Sequence, residues 1–272
     1  MSGGRRASVT TDDHGDGVIE VRLDEPERFN ALEAGIVQDL HDVLAGLAQR
    51  TDVRVVVLTA AGKHFCAGAH LHGHGIAPGG DGSGSVADWM SVQEHIATLV
   101  TRLRSLRMPV VAAVQGAASG GGFALALAAD VRVCSDDARF NAAFVKIGLS
   151  ACDIGVSWIL PRLVGASRAF ELLLTGRFVE ALEAERIGLV SRLVPRDRLQ
   201  ETALDVARSI AANSPYGVRM TKQVMWSQLE VGSQAAGLDL ENRTQVTAVL
   251  TADHREAVAA FLEKRPPEFG NR

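Results

Sequence analysis

Residues 109–130 read PVVAAVQGAASGGGFALALAAD. The nearly unbroken apolar run from Pro109 to Ala118 is how a strand buried on both faces reads. Gly120, Gly121 and Gly122 follow, and then a second apolar run, Phe123 to Ala129, of helical character. Three glycines at a strand-to-helix turn leave backbone amides uncovered at a helix N-terminus, where the dipole favours negative charge. Two readings follow: a site for an anion or a developing oxyanion, or glycines that only let strand and helix pack closely. The residues of this segment alone do not choose between them.

Upstream, VRVVVLTA (53–60) predicts another buried strand, and WMSVQEHIATLVTRLRSL (89–106) places Val92, Ile96, Leu99, Leu103 and Leu106 on one helical face. VIEVRLD (18–24) alternates like a strand, and AGIVQDLHDVLAGLAQ (34–49) sets Ile36, Leu40, Val43, Leu44 and Leu47 at helical spacing. Strand, helix and strand in alternation predict an α/β fold with right-handed crossovers. Beyond residue 160 the pattern turns helical. We therefore expect a flexible tail over 1–17, an α/β core over 18–200, and a C-terminal helical region over 201–272. Val224, Met225, Leu229, Val246, Val249 and Leu250 give that region more apolar surface than a small core requires, so oligomerisation is expected.

The 272 residues are 47% hydrophobic and 22% charged, with a formal charge of −4 and a pI near 6.1. Nothing here forms a basic field for nucleic acid or an acidic membrane surface. No apolar stretch approaches the ~20 residues of a membrane span. Cys66, Cys134 and Cys152 are three cysteines at unrelated spacings, which predicts neither a disulfide framework nor a zinc site and points to the cytoplasm. His64, His70, His72 and His74 border the glycine-rich HGHGIAPGGDGSGSV (72–86), where solvated loop histidines are the better reading than a metal site.

ERFNAL, VVVLTAAGKHFCAGAHL, the 109–140 segment, LPRLVG, ELLLTGRFVEALEAERIGLVSRLVP and HREAVAAFLEKRPPEF, in this order, resemble the crotonase superfamily, the enoyl-CoA hydratase/isomerase family. The likeness runs from about residue 18 to the end. It implies a spiral of repeated β-β-α turns, a C-terminal helical trimerisation region, and trimers that often pair into hexamers. It also implies an acyl-CoA thioester as substrate, with coenzyme A as part of that substrate and no separate cofactor. The thioester oxygen would accept from the amides of Ala69, in CAGA, and Gly121, flanked by Ala67 and Gly120. Arg28, Ala31, His70 and Leu71 take positions near the coenzyme, and Phe261 and Lys264 match C-terminal residues that reach it across a subunit boundary.

Two positions depart from the family's hydratases, which hold and activate water with a pair of glutamates. Here those positions are Ala124 and Phe144, and neither moves a proton. Counted back from LPRLVG, Asp153 falls where dienoyl-CoA isomerases of the family, and a relative that dehalogenates an aromatic acyl-CoA, carry a functional aspartate; an insertion near Ser150 to Cys152 completes the match. Between Cys152, Ile154 and Val156 its carboxylate is expected to be partly desolvated, with a raised pKa. The competing reading is a cap for the helix that follows. Asp130, Asp136 and Asp137 read as structural, and Glu94 and His95 are the next acid-base candidates. Two hypotheses result: an isomerase-like enzyme that holds a thioester enolate and moves a proton with Asp153, or an acyl-CoA-binding homologue without chemistry.

Overall fold

The computed structural model describes residues 7–69 and 83–271. Strand β1 (Val9–Asp13) pairs antiparallel with β2 (Val18–Leu23), and helix α1 (Ala34–Gln49) leads to β3 (Val55–Ala60), parallel to β2. Helix α2 (Val86–Ser105) precedes β4 (Val110–Val114), β5 (Ala117–Ser119) and α3 (Gly121–Ala128). Next come β6 (Val131–Ser135), β7 (Arg139–Asn141), α4 (Val156–Val164), α5 (Ala166–Thr175), β8 (Val179–Glu180), α6 (Ala181–Arg186) and β9 (Arg192–Val194). Four helices follow: α7 (Leu199–Ala211), α8 (Pro215–Gln228), α9 (Gln234–Val249) and α10 (Ala252–Glu263).

The large sheet has the order β1-β2-β3-β4-β6-β9 and the small one β5-β7-β8. Successive turns repeat one plan: a strand in the large sheet, an extended segment in or beside the small sheet, then a helix. The β3 turn joins through a single bridge, Cys66 to Ala118. This is the β-β-α spiral, and its handed winding puts the ends of β3 and β4 side by side.

The run 109–118, expected as one strand, is two strands in different sheets. Gly116 makes the corner: its φ is +52°, and a side chain there would meet the Lys63 carbonyl oxygen at 2.3 Å. Burial on both faces holds. Val56, Leu58, Val110, Ala112 and Val114 enter the main core with α1, α2 and α3, while Val55, Val57, Val111 and Val133 face Leu199, Ala203 and Ala207 of α7. α7 thus covers the second face of the core sheet, although the boundary at 200 assigns it to the C-terminal region.

Residues 9–13 also depart from the expected tail. Val9 is 5% exposed and the strand completes the sheet edge, a pairing that only β2 reveals because Thr10 to Asp13 carry no apolar pattern. Leu229, Val246, Val249 and Leu250 are exposed in the single chain. Among the described residues no helix is long and apolar enough to cross a membrane.

Candidate active site

Two segments converge at the C-terminal ends of β3 and β4. The first is ERFNAL. Phe29 and Asn30 both sit in the left-handed region, at φ +54° and +52°, a conformation asparagine tolerates well. Fully buried Asn30 accepts from the Glu25 amide and donates to the carbonyls of Ala61 and His64, each at 2.9 Å. This ties ERFNAL to the chain after β3, where the Ala67 amide donates to Phe29 O at 3.0 Å and the Leu32 amide to Gly68 O at 2.7 Å.

The second is the glycine triplet, in which each glycine has its own reason. Gly120 adopts φ +50° and stacks under the Phe144 ring, which a Cβ would meet at 3.5 Å. Gly122 lies so close to the preceding turn that a Cβ would sit 2.2 Å from Cys66 O. Gly121 opens α3 between Leu32 and Ile154, whose Cδ1 atoms would lie 2.5 and 3.6 Å from an added Cβ. Close packing therefore excludes a side chain at both Gly121 and Gly122, and the Gly121 amide, which donates to no other described residue, leaves room for the oxyanion reading.

The two segments meet at Gly68, φ +89°, where a Cβ would lie 3.4 Å from the Gly121 nitrogen and 2.7 Å from Ser119 O. The amides of Ala69 and Gly121 flank this contact, and neither donates to another described residue. Ala69 is exposed and Gly121 buried, so one edge of the pair faces solvent and the other the helix N-terminus. Such a pair of fixed donors suits an oxygen that gains negative charge.

The hydratase positions are apolar in space as well as in sequence: Ala124 is fully buried, and Phe144 is 8% exposed within the core. Asp153 is half-buried and follows the exposed Cys152. Its Oδ1 accepts from the Ile154 amide at 2.7 Å and from Gln93 Nε2 on α2. Burial pushes this carboxyl above the ordinary carboxylate range, against the Ile154 and Gln93 hydrogen bonds, which favour the charged form. Asp153 does not cap α4: Gly155 occupies the N-cap position and no side chain caps the helix. Ile154 has φ +34°, a strained conformation for a β-branched residue, and its side chain forms the wall beside Gly121. Gln93 carries no local signal in the sequence, since its partner Asp153 lies sixty residues away.

The remaining sequence candidates fall as follows. Ala67 is exposed beside the paired amides, and Ala31 is buried. Arg28 pairs with Glu33 at 2.7 Å on the surface. His70, Leu71, His72 and His74 lie outside the described residues. His64 Nδ1 accepts from the Ala117 amide at 3.0 Å, a structural role. Phe261 is exposed near the end of α10, and Lys264 closes that helix in the left-handed region, neither of them on the strand-end segments that hold the amides. The His95 ring packs on that of His41 at 4.3 Å. Asp130 accepts from Lys222, Trp226 and the Val110 amide, and Asp137 from Ser135 and Arg196. Among the described residues no group of three or more histidines, cysteines or acids is placed to hold a metal.

A β-β-α spiral in which two amides meet at adjoining strand ends, neither donating to another described residue, defines the class of fold. Comparison gives the class its family. A family model described as enoyl-CoA hydratase/isomerase matches residues 13–272. A "probable enoyl-CoA hydratase" of Mycobacterium tuberculosis is 42% identical over 253 residues, covering 93% of this chain and 89% of that protein. The 1,2-epoxyphenylacetyl-CoA isomerase of Escherichia coli is 37% identical over 254 residues, 93% of this chain and 95% of that one. A crystal structure of a "probable enoyl-CoA hydratase/isomerase" from Mycobacterium abscessus superposes with a TM-score of 0.89 at 40% identity, covering 97% and 99% of the two chains. The chain belongs to the enoyl-CoA hydratase/isomerase family of the crotonase superfamily and is an enzyme of that family.

Proposed function

We propose that this enzyme moves a proton along the acyl chain of a coenzyme A thioester, as an isomerase rather than an efficient hydratase. The thioester oxygen accepts from the Ala69 and Gly121 amides. Asp153 takes a proton from carbon, the C–H electron pair becomes the enolate, and the same carboxylic acid returns the proton at another carbon. Gln93 and the Ile154 amide occupy Oδ1, which leaves Oδ2 as the atom that carries the proton. The reaction requires no cofactor beyond the coenzyme A of the substrate.

The observation that carries this reading is the placement of Asp153: its neighbour Ile154 walls the Gly121 side of the amide pair, while both hydratase positions are apolar. A pKa raised by burial suits a carboxyl that takes up and returns a proton during turnover. The likeness to a 1,2-epoxyphenylacetyl-CoA isomerase supports the choice of an isomerase. Loss of both glutamates also favours a second reading, an acyl-CoA-binding protein without turnover.

Arg28, Ala31, His70 and Leu71 are assigned to the coenzyme, with Phe261 and Lys264 supplied from a neighbouring subunit of a trimer or a dimer of trimers. The exposed apolar residues of α8 to α10 provide surface for that assembly. Three free cysteines fit a reducing cytoplasm. Assay against 3-enoyl-, 2-enoyl-, dienoyl- and aryl-acetyl-CoA tests the proposal. Double-bond migration exceeding hydration is the expected result, binding without turnover would establish the second reading, and rapid hydration of 2-enoyl-CoA would overturn the isomerase assignment.

A further inference from the structure

Helix α2 runs beside the segment that carries Asp153 and touches it at three points in register. Gln93 bonds to Asp153, Val100 lies where a Cβ on Gly155 would meet it at 3.3 Å, and Arg104 stacks on Trp158. The last contact is part of a larger stack. The Arg104 guanidinium carbon lies 4.5 Å from the ring centre of Trp158 and 4.1 Å from that of Trp226, and Arg162 covers Trp158 at 3.8 Å.

The stack is anchored at its far side. Trp226 Nε1 donates to Asp130 Oδ1 at 2.7 Å, and Lys222, one turn earlier on α8, holds Asp130 Oδ2 at 2.9 Å and the Met108 carbonyl at 3.0 Å. Among the described residues Arg104 Nε is buried without an acceptor, and the Glu230 carboxylate stands 3.9 Å from Arg104 Nη2. Its ring partners, rather than a carboxylate, therefore hold the guanidinium, as a planar delocalised cation permits.

We propose that Arg104 is a positioning residue: clamped between Trp226 of α8 and Trp158 of α4, it fixes the register of α2 against α4 and so the approach of Asp153 to the paired amides. The proposal rests on the assignment of proton transfer to Asp153. A carboxylate that moves by about 1 Å loses on the order of 10²-fold in rate even when substrate still binds.

The test is a double-mutant cycle on turnover, run well below each variant's melting temperature. Arg104→Met should lower kcat by roughly 10- to 100-fold with KM within about threefold. In the Asp153→Asn background the same substitution should cost almost nothing further. Trp158→Leu, which opens the stack from the other side, should repeat the pattern, and Trp158→Phe, which keeps a ring face, should recover most of the rate. Lower thermal stability with kcat unchanged would overturn the proposal, as would equal losses in both backgrounds. Full turnover in Asp153→Asn alone would instead show that the proton-transfer assignment had failed, and the positioning role with it.

Discussion

Replacing Gly68 by alanine adds one methyl group at the contact between the two halves of the site. The residue holds φ +89°, and the new Cβ would lie 2.7 Å from Ser119 O and 3.4 Å from the Gly121 nitrogen. The oxygen belongs to the backbone of β5, so the movement falls on the Gly68–Ala69 peptide that carries one of the two amides. A left-handed backbone costs an alanine about 1–2 kcal/mol, which for a chain of this size lowers Tm by roughly 2–8 °C. Loss of one oxyanion donor costs about 10²- to 10³-fold in rate. Gly68→Ala should therefore lose at least about 10²-fold in kcat while remaining folded. Gly46→Ala, in the last turn of α1 with nothing within 4 Å of the added Cβ, serves as control and should gain up to about 1 kcal/mol with full activity. Steady-state turnover and calorimetric melting check both variants. Wild-type turnover in Gly68→Ala would refute the two-amide site.

Gln93→Leu removes a hydrogen bond that favours the charged form of Asp153, so its pKa should rise further and the acid limb of the kcat–pH profile should move to higher pH, read by turnover across pH 4–9. Because burial already raises the Asp153 pKa, charging it weakens the fold as pH rises through the ordinary carboxylate value and on through the raised one. Asp153→Asn should accordingly melt above wild type at pH 7, and the difference should vanish below about pH 3. Lys222→Met leaves Asp130 without the cation it meets at 2.9 Å in a buried setting and should cost on the order of 3 kcal/mol in chemical denaturation, with Asp130→Asn restoring part of the loss.

Much of this molecule is legible in its sequence where the determining pattern is local. The apolar spacing of 34–49 gives α1 with its true bounds, and the runs at 53–60 and 109–118 announce buried strands, the first formed as Val55–Ala60 and the second divided into Val110–Val114 and Ala117–Ser119. The glycine triplet announces its turn, but its two meanings meet only in space: packing excludes a side chain at Gly122 against Cys66 and at Gly121 against Leu32, and the Gly121 amide donates to no other described residue. What local pattern cannot show is whatever depends on distant partners. β1 needs β2 to be recognised, and the corner at Gly116 needs the carbonyl of Lys63. Gln93 is one polar residue among several on α2 until the fold brings Asp153 to it, and Arg104 reads as an ordinary surface charge until Trp158 and Trp226 close around it.

The assignment of proton transfer to Asp153 is tested most directly by following exchange of substrate carbon-bound protons for deuterium by NMR in D2O, wild type against Asp153→Asn, with thioester binding measured on the same samples. Asparagine keeps the size of the side chain and most of its acceptor capacity but cannot take up a proton. Exchange and turnover should fall together by roughly 10²- to 10⁴-fold while affinity stays within a few fold. Exchange at the wild-type rate in Asp153→Asn would contradict the mechanism.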